Sequence, residues 1–175
     1  MRKAIEPGNL KVTVVESLVA ATAATVAILA EVPIWAMFVG WIAYFTRGLD
    51  LGNGLVNYGC VLIGVMLGLA AAAVLEALGG PPAILETAAV VFGVALVVLS
   101  LRFLPVFDNL LGFFLGLVAW FAAHLPVSAA AFATLAVAGA LGSGAGWFAH
   151  RLQLRLSASA GAVPGKPSPA ASLKT

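Results

Sequence analysis

Charge is what this chain has least of. Lys and Arg number 9 and Asp and Glu 7, together 9% of 175 residues, where an ordinary soluble domain carries about 25%. So thin a supply does not wet the surface of a globular enzyme, and no basic cluster exists to track a phosphate backbone. Neither a soluble enzyme nor a nucleic-acid partner is expected. Cysteine is scarcer still. The single Cys60 allows no internal disulfide and no multi-cysteine metal site. Its apolar neighbours Val61, Leu62 and Ile63 predict a packed, inert thiol. No nucleophile–base or metal-ligand spacing occurs, so no cofactor, metal or catalytic residue is expected.

Hydrocarbon is what the chain has instead: 62% of it is hydrophobic, and its mean hydropathy is +1.09. A membrane-spanning helix needs about 20 mostly apolar residues. Pro, Gly and charge divide the chain into six such candidates, at about 11–31, 33–46, 52–78, 83–101, 109–123 and 127–151. Gly79, Gly80, Pro81 and Pro82 break the middle, and a proline suits the first turn of the helix after it. Arg2, Lys3 and Lys11 precede an apolar run that Glu16 interrupts, which reads as a retained first span and not a cleaved leader. Beyond Leu156 the composition turns to Ser, Ala, Pro, Gly and Lys. The expectation is one all-α transmembrane domain over 1–152 and a disordered cytoplasmic tail over 153–175.

Lys and Arg collect on the cytoplasmic side of membrane proteins. Six spans with a cytoplasmic N-terminus put Arg2, Lys3, Lys11, Arg47, Arg102, Arg151, Arg155, Lys166 and Lys174 inside, which is every basic residue in the chain. Glu31, Glu76, Glu86 and His124 fall outside. The sequence therefore predicts a multi-pass protein of the bacterial inner membrane with both termini cytoplasmic. His124 and His150 lie at opposite faces and cannot share a metal. A solvated turn residue and a cytoplasmic helix end are their ordinary readings.

The chain also repeats itself. Phe38, Gly40, Ala43 and Phe45 recur in the same spacing as Phe114, Gly116, Ala119 and Phe121, with Tyr44 matched by Trp120. Each set lies on the middle helix of a triplet. A Gly-x-x-x-Gly pair follows on the third helix of each: Gly64/Gly68 and Gly142/Gly146. Glu16-Ser17 and Glu86-Thr87 stand near the starts of the first helices. Three helices per unit is an odd number, so the second copy enters from the opposite side. A 3+3 inverted repeat, over about 11–78 and 83–151, is the predicted architecture, and it recurs in transporter folds.

The run from Ile34 to Phe45 followed by a polar glycine turn, together with Phe113–Phe121, resembles the motifs of domain-of-unknown-function family 1097, small bacterial inner-membrane proteins. The resemblance covers about Glu16 to Arg151. It implies location and span count; the family has no established activity to carry over.

Few residues could carry chemistry. Gly64, Gly68 and Ala72, and Ala138, Gly142 and Gly146, form small faces for close helix packing; the two faces meeting would make a pseudo-twofold centre. Gly142-Ser143-Gly144 lacks the pattern of an intramembrane protease. Glu16 and Glu86 are ionisable groups near span ends, either helix N-terminal acids or coupling carboxylates on a pathway. Asp50, Asn53 and Asn57 form a polar set in which Asn57 is deep enough to line a cavity. Aromatic residues on the short middle helices either pack or ring a constriction. The expected function is a channel or facilitator for a small neutral or weakly polar solute, urea-like amides first, lined by Phe38, Gly40, Asn57, Phe114 and Gly116. A homo-oligomer is expected because six short spans enclose little volume. A proton-coupled carrier using Glu16 or Glu86 and a non-transporting scaffold or assembly subunit are the alternatives.

Overall fold

A computed structural model describes residues 7–79 and 83–161. Among them there are six helices and no strand: α1 (Pro7–Leu29), α2 (Ile34–Tyr44), α3 (Leu51–Leu78), α4 (Ile84–Leu101), α5 (Leu110–Ala123) and α6 (Ala129–Gly161). Four of them, α1, α3, α4 and α6, are long and apolar enough to cross a membrane. Six helices are present as expected, but the short middle ones are not long enough to be spans. With 11 and 14 residues they reach only about 16 and 21 Å at 1.5 Å per residue, short of a hydrocarbon core of about 30 Å. Each packs one face on a long helix, α2 on α6 and α5 on α3, and leaves the other exposed.

α6 also differs. It continues to Gly161, past the expected end at Arg151 and into the segment expected to be disordered. Leu152, Gln153, Leu154 and Arg155 are strong helix formers, so the helix persists where the apolar run stops. Residues 162–175 of the expected tail lie outside the described residues.

The core has three parts. The central cluster joins α2, α3, α5 and α6 through Ala43, Val61, Val65, Ala119, Trp120, Leu135 and Ala138. A lateral cluster seats α1 on α2 through Ala23, Ala27 and Met37, with Leu141 and Ala145 of α6 beside them. The other seats α4 through Val98 against Cys60, Phe113 and Leu117, with Ile63 and Leu67 of α3 alongside. The outer surface is hydrocarbon: Leu18, Ile28, Leu55, Phe92 and Val118 are all exposed, as side chains solvated by lipid are.

Glycine sets how closely the helices approach. A Cβ at Gly40 would overlap the Gly139 carbonyl oxygen, and one at Gly142 would overlap that of Met37. In the other seam a Cβ at Gly116 would overlap the Val61 carbonyl oxygen, and one at Gly64 that of Phe113. Gly68 faces Trp120 while Gly146 faces Tyr44 and Trp41. The two small faces therefore do not meet each other. Each receives a short helix, because only α2 and α5 are brought to that depth. The contacts also fix direction: Gly40 pairs with Gly139 and Tyr44 with Gly146, so α2 runs parallel to α6. Gly116 with Val61 and Trp120 with Gly68 make α5 parallel to α3.

Candidate functional site

A group of polar side chains gathers where α2 ends and α3 and α5 begin. Asp50 caps α3, accepting a hydrogen bond from the Asn53 backbone N–H at 2.9 Å. That bond, then the one from the Asn53 side chain, holds the Asp50 carboxyl below the usual aspartate range. Two turns into α3, Asn57 is fully buried. Its Nδ2 donates to the Arg47 carbonyl at 2.8 Å, while its Oδ1 accepts from Asn109 Nδ2 at 2.8 Å. Asn109 also donates to Thr46 Oγ1 at 2.6 Å and caps α5 by accepting from the Gly112 N–H. Arg47 pairs with Asp108 outside this cluster. The α2–α3 turn, α3 and the start of α5 are thus tied by a satisfied network, the condition under which buried polar groups rigidify a core.

Beside this cluster, a half-open cleft of about 200 Å³ lies between α3 and α6. Leu51, Leu55, Ala140 and Trp147 give it hydrocarbon walls, and Gly54 and Gly144 give it room. Three hydroxyl-bearing residues line it. Tyr58 donates to the Ala136 carbonyl at 2.9 Å, and Ser143 donates to the Gly40 carbonyl at 2.9 Å. Tyr44 is only 1% exposed, and its hydroxyl has no hydrogen-bond partner. The Tyr44 ring meets Phe45 edge-on at 5.0 Å and lies 6.2 Å from His150.

The residues singled out in the sequence are dispersed. Gly40 lies in the α2–α6 seam, and Gly116 in the α3–α5 seam, both filled by neighbouring backbone. Asn57 is consumed by the polar network. Phe38 and Phe114 are 37% and 40% exposed on the outer surface, and Phe114 borders an apolar groove between α3, α4 and α5. These five residues therefore do not enclose one space. Glu16 is half-buried on α1. Glu86 is exposed and accepts from the Ala83 N–H in the first turn of α4. α1 and α4 do not touch among the described residues, so the two carboxylates stand on opposite flanks. His150 is no helix end: α6 runs on past it, and it is buried against Tyr44 and Phe45. His124 ends α5 in the left-handed conformation.

Sequence reasoning missed Asn109 and Tyr58, and it singled out Tyr44 only as the counterpart of Trp120. Asn109 was legible as a cap, since Asn directly before an apolar helix is a start signal. Nothing in the sequence puts the two tyrosines at one cleft, because their place depends on how α3 crosses α6.

Residues 13–152 match the family described as protein of unknown function (DUF1097), and the chain belongs to that family. No curated protein and no solved structure matches it.

Proposed function

We propose that this member of the family is a bacterial inner-membrane facilitator for a small neutral or weakly polar solute, built from two three-helix copies of inverted orientation, with both termini cytoplasmic. Urea-like amides are the first solutes to test. The passage is placed at the crossing of α3 and α6, because Gly40 and Gly116 are occupied by backbone.

Register supports the duplication. On the middle helices Met37, Gly40 and Tyr44 correspond to Phe113, Gly116 and Trp120 at one constant offset. On the third helices Val61, Gly64 and Gly68 correspond to Gly139, Gly142 and Gly146 at another. Under that mapping the Gly40–Gly139 contact becomes Gly116–Val61, and Gly142–Met37 becomes Gly64–Phe113. Burial from Ile34 to Phe45 repeats from Leu110 to Phe121, differing only at Ile34/Leu110 and Trp41/Leu117. The carrying observation is Tyr58, whose hydroxyl binds the carbonyl of Ala136. Ala136 is Tyr58's own counterpart, so the contact sits where a twofold axis would pass.

Direction supports the inversion. Tyr44 lies against both Gly54 and Gly146, while Tyr58 reaches Gly139 and Ala136, so α3 and its counterpart α6 are antiparallel. Six helices of alternating direction return both termini to one side, in keeping with the placement of the basic residues. α4 buries only Val98, which leaves it a face for a second copy, and a homo-oligomer is part of the proposal.

Shrink–swell relaxation of proteoliposomes tests the reading. Small amides should relax faster than in empty vesicles; equal rates for every neutral solute, weak acid and weak base overturn it. Glu16→Gln and Glu86→Gln should leave flux and its pH profile unchanged. A lost pH dependence would instead favour the proton-coupled carrier. Flux in neither form, with one stoichiometric partner co-purifying, would favour the scaffold.

A further inference from the structure

We propose that the α3–α6 cleft binds a short alkyl amide, with the Tyr44 hydroxyl donating to the amide carbonyl. This rests on the reading above and narrows its solute class. Tyr44 forms a wall of the cleft, and its buried hydroxyl has no partner. A buried hydroxyl in that state is costly, and a ligand acceptor relieves the cost. The other two hydroxyls have committed their protons, Tyr58 to Ala136 and Ser143 to Gly40, and keep only lone pairs. The Tyr44 hydroxyl is closed off in the structure, so a small turn of its ring is part of the proposal; the cleft then offers one free donor and further acceptors. A carboxamide is the complement: a carbonyl that accepts and N–H groups that donate.

Charge selects against other classes. No Lys, Arg, Asp or Glu lines the cleft, so neither a carboxylate nor an ammonium ion finds a counter-charge there. The rest of the wall is hydrocarbon, and urea has nothing to place against it. Leu51 and Leu55 at the mouth are more than half exposed, on a surface that faces lipid. An amide with an alkyl tail enters sideways from the bilayer and keeps its tail against Leu55 and Trp147. Gly54 and Gly144 make the space; their counterparts in the other half are Phe132 and Met66.

The test uses full-length protein in lipid nanodiscs, titrated with urea, acetamide, butyramide and hexanamide, with empty nanodiscs correcting for partition into lipid. Tryptophan emission reports binding, and Trp147→Phe should remove the response. Affinity should rise about fourfold per methylene until the cleft is full, with urea weakest. Tyr44→Phe should weaken butyramide binding about tenfold yet leave the unfolding temperature unchanged or raised, since it deletes an unpartnered group. A Cβ at Gly144 meets nothing within 4 Å, so Gly144→Leu should fold normally and lose binding. Affinity independent of tail length overturns the proposal, as does wild-type affinity in both Tyr44→Phe and Gly144→Leu. Binding without flux in proteoliposomes would sink the transport reading and leave the site standing. Flux indifferent to both substitutions would do the reverse.

Discussion

Glycines of one sequence type have opposite tolerances here, and what faces them decides which. At Gly40 and Gly116 a side chain meets a carbonyl oxygen fixed in a neighbouring helix. Neither backbone can yield without separating the seam, so Gly40→Leu and Gly116→Leu should each destabilise by about 3 kcal/mol, the upper end for overpacking. Gly93 faces open space, and Gly93→Ala should hold or raise stability, by up to about 1 kcal/mol in helix propensity. Thermal unfolding of the three variants in one detergent checks this; equal losses at all three would show that the seams are loose. Asp50 gives a pH dependence of known sign. Its lowered carboxyl stabilises the fold above the ordinary aspartate range, and that contribution fades as pH falls through the lowered value. Asp50→Asn should flatten the acid limb of the unfolding temperature, and an unchanged limb would assign it to other groups.

At the scale of the element, the start of α5 is where one residue does two jobs. Asn109 caps the helix and satisfies Asn57 and Thr46 across the fold. Asn109→Ala removes a cap worth about 1 kcal/mol and strands the buried Asn57 oxygen at a further cost of about 1–3 kcal/mol. Asn57→Ala should therefore cost less on an Asn109→Ala background than alone, a non-additivity that a double-mutant cycle measures. Arg47→Ala should lose no more than about 1 kcal/mol, because its pair with Asp108 is 41% and 39% exposed and such pairs are weak. If Arg47→Ala outweighs Asn109→Ala, the ion pair and not the buried amides ties this end.

Across the whole molecule, the sequence was legible wherever local chemistry decides. Helix ends at Leu78, Leu101 and Ala123 follow from glycine, arginine and histidine breaks, and the Phe-Gly-Ala spacing shared by α2 and α5 marks matching helices. What stayed hidden is which surface each helix meets. Gly40 reads as a notch, and only the packed chain reveals that Gly139 fills it. The short α2 reads as a span in the sequence, yet an apolar segment packed along a longer helix need not match the bilayer. Native Cys60 is fully buried, which makes the chain a quiet background for mapping orientation. In intact cells an impermeant maleimide should label His124→Cys and spare Arg155→Cys. The reverse pattern would invert the proposed topology.

Under the proposed duplication the polar network has no twin. The positions that would correspond to Thr46, Asn57 and Asn109 carry Ala122, Leu135 and Pro33, none of which can form such side-chain hydrogen bonds. One end of the molecule is pinned by side-chain hydrogen bonds between helices and, among the described residues, the other shows none, so thermal motion should splay it like a clothes peg about its spring. Amide protons measure this, because exchange follows the free energy of local opening. Those from Val32 to Ala36 and from Val127 to Ala131 should exchange sooner than those from Thr46 to Asn57. The loose end is then where any opening of the bundle begins, at the face away from the tyrosines.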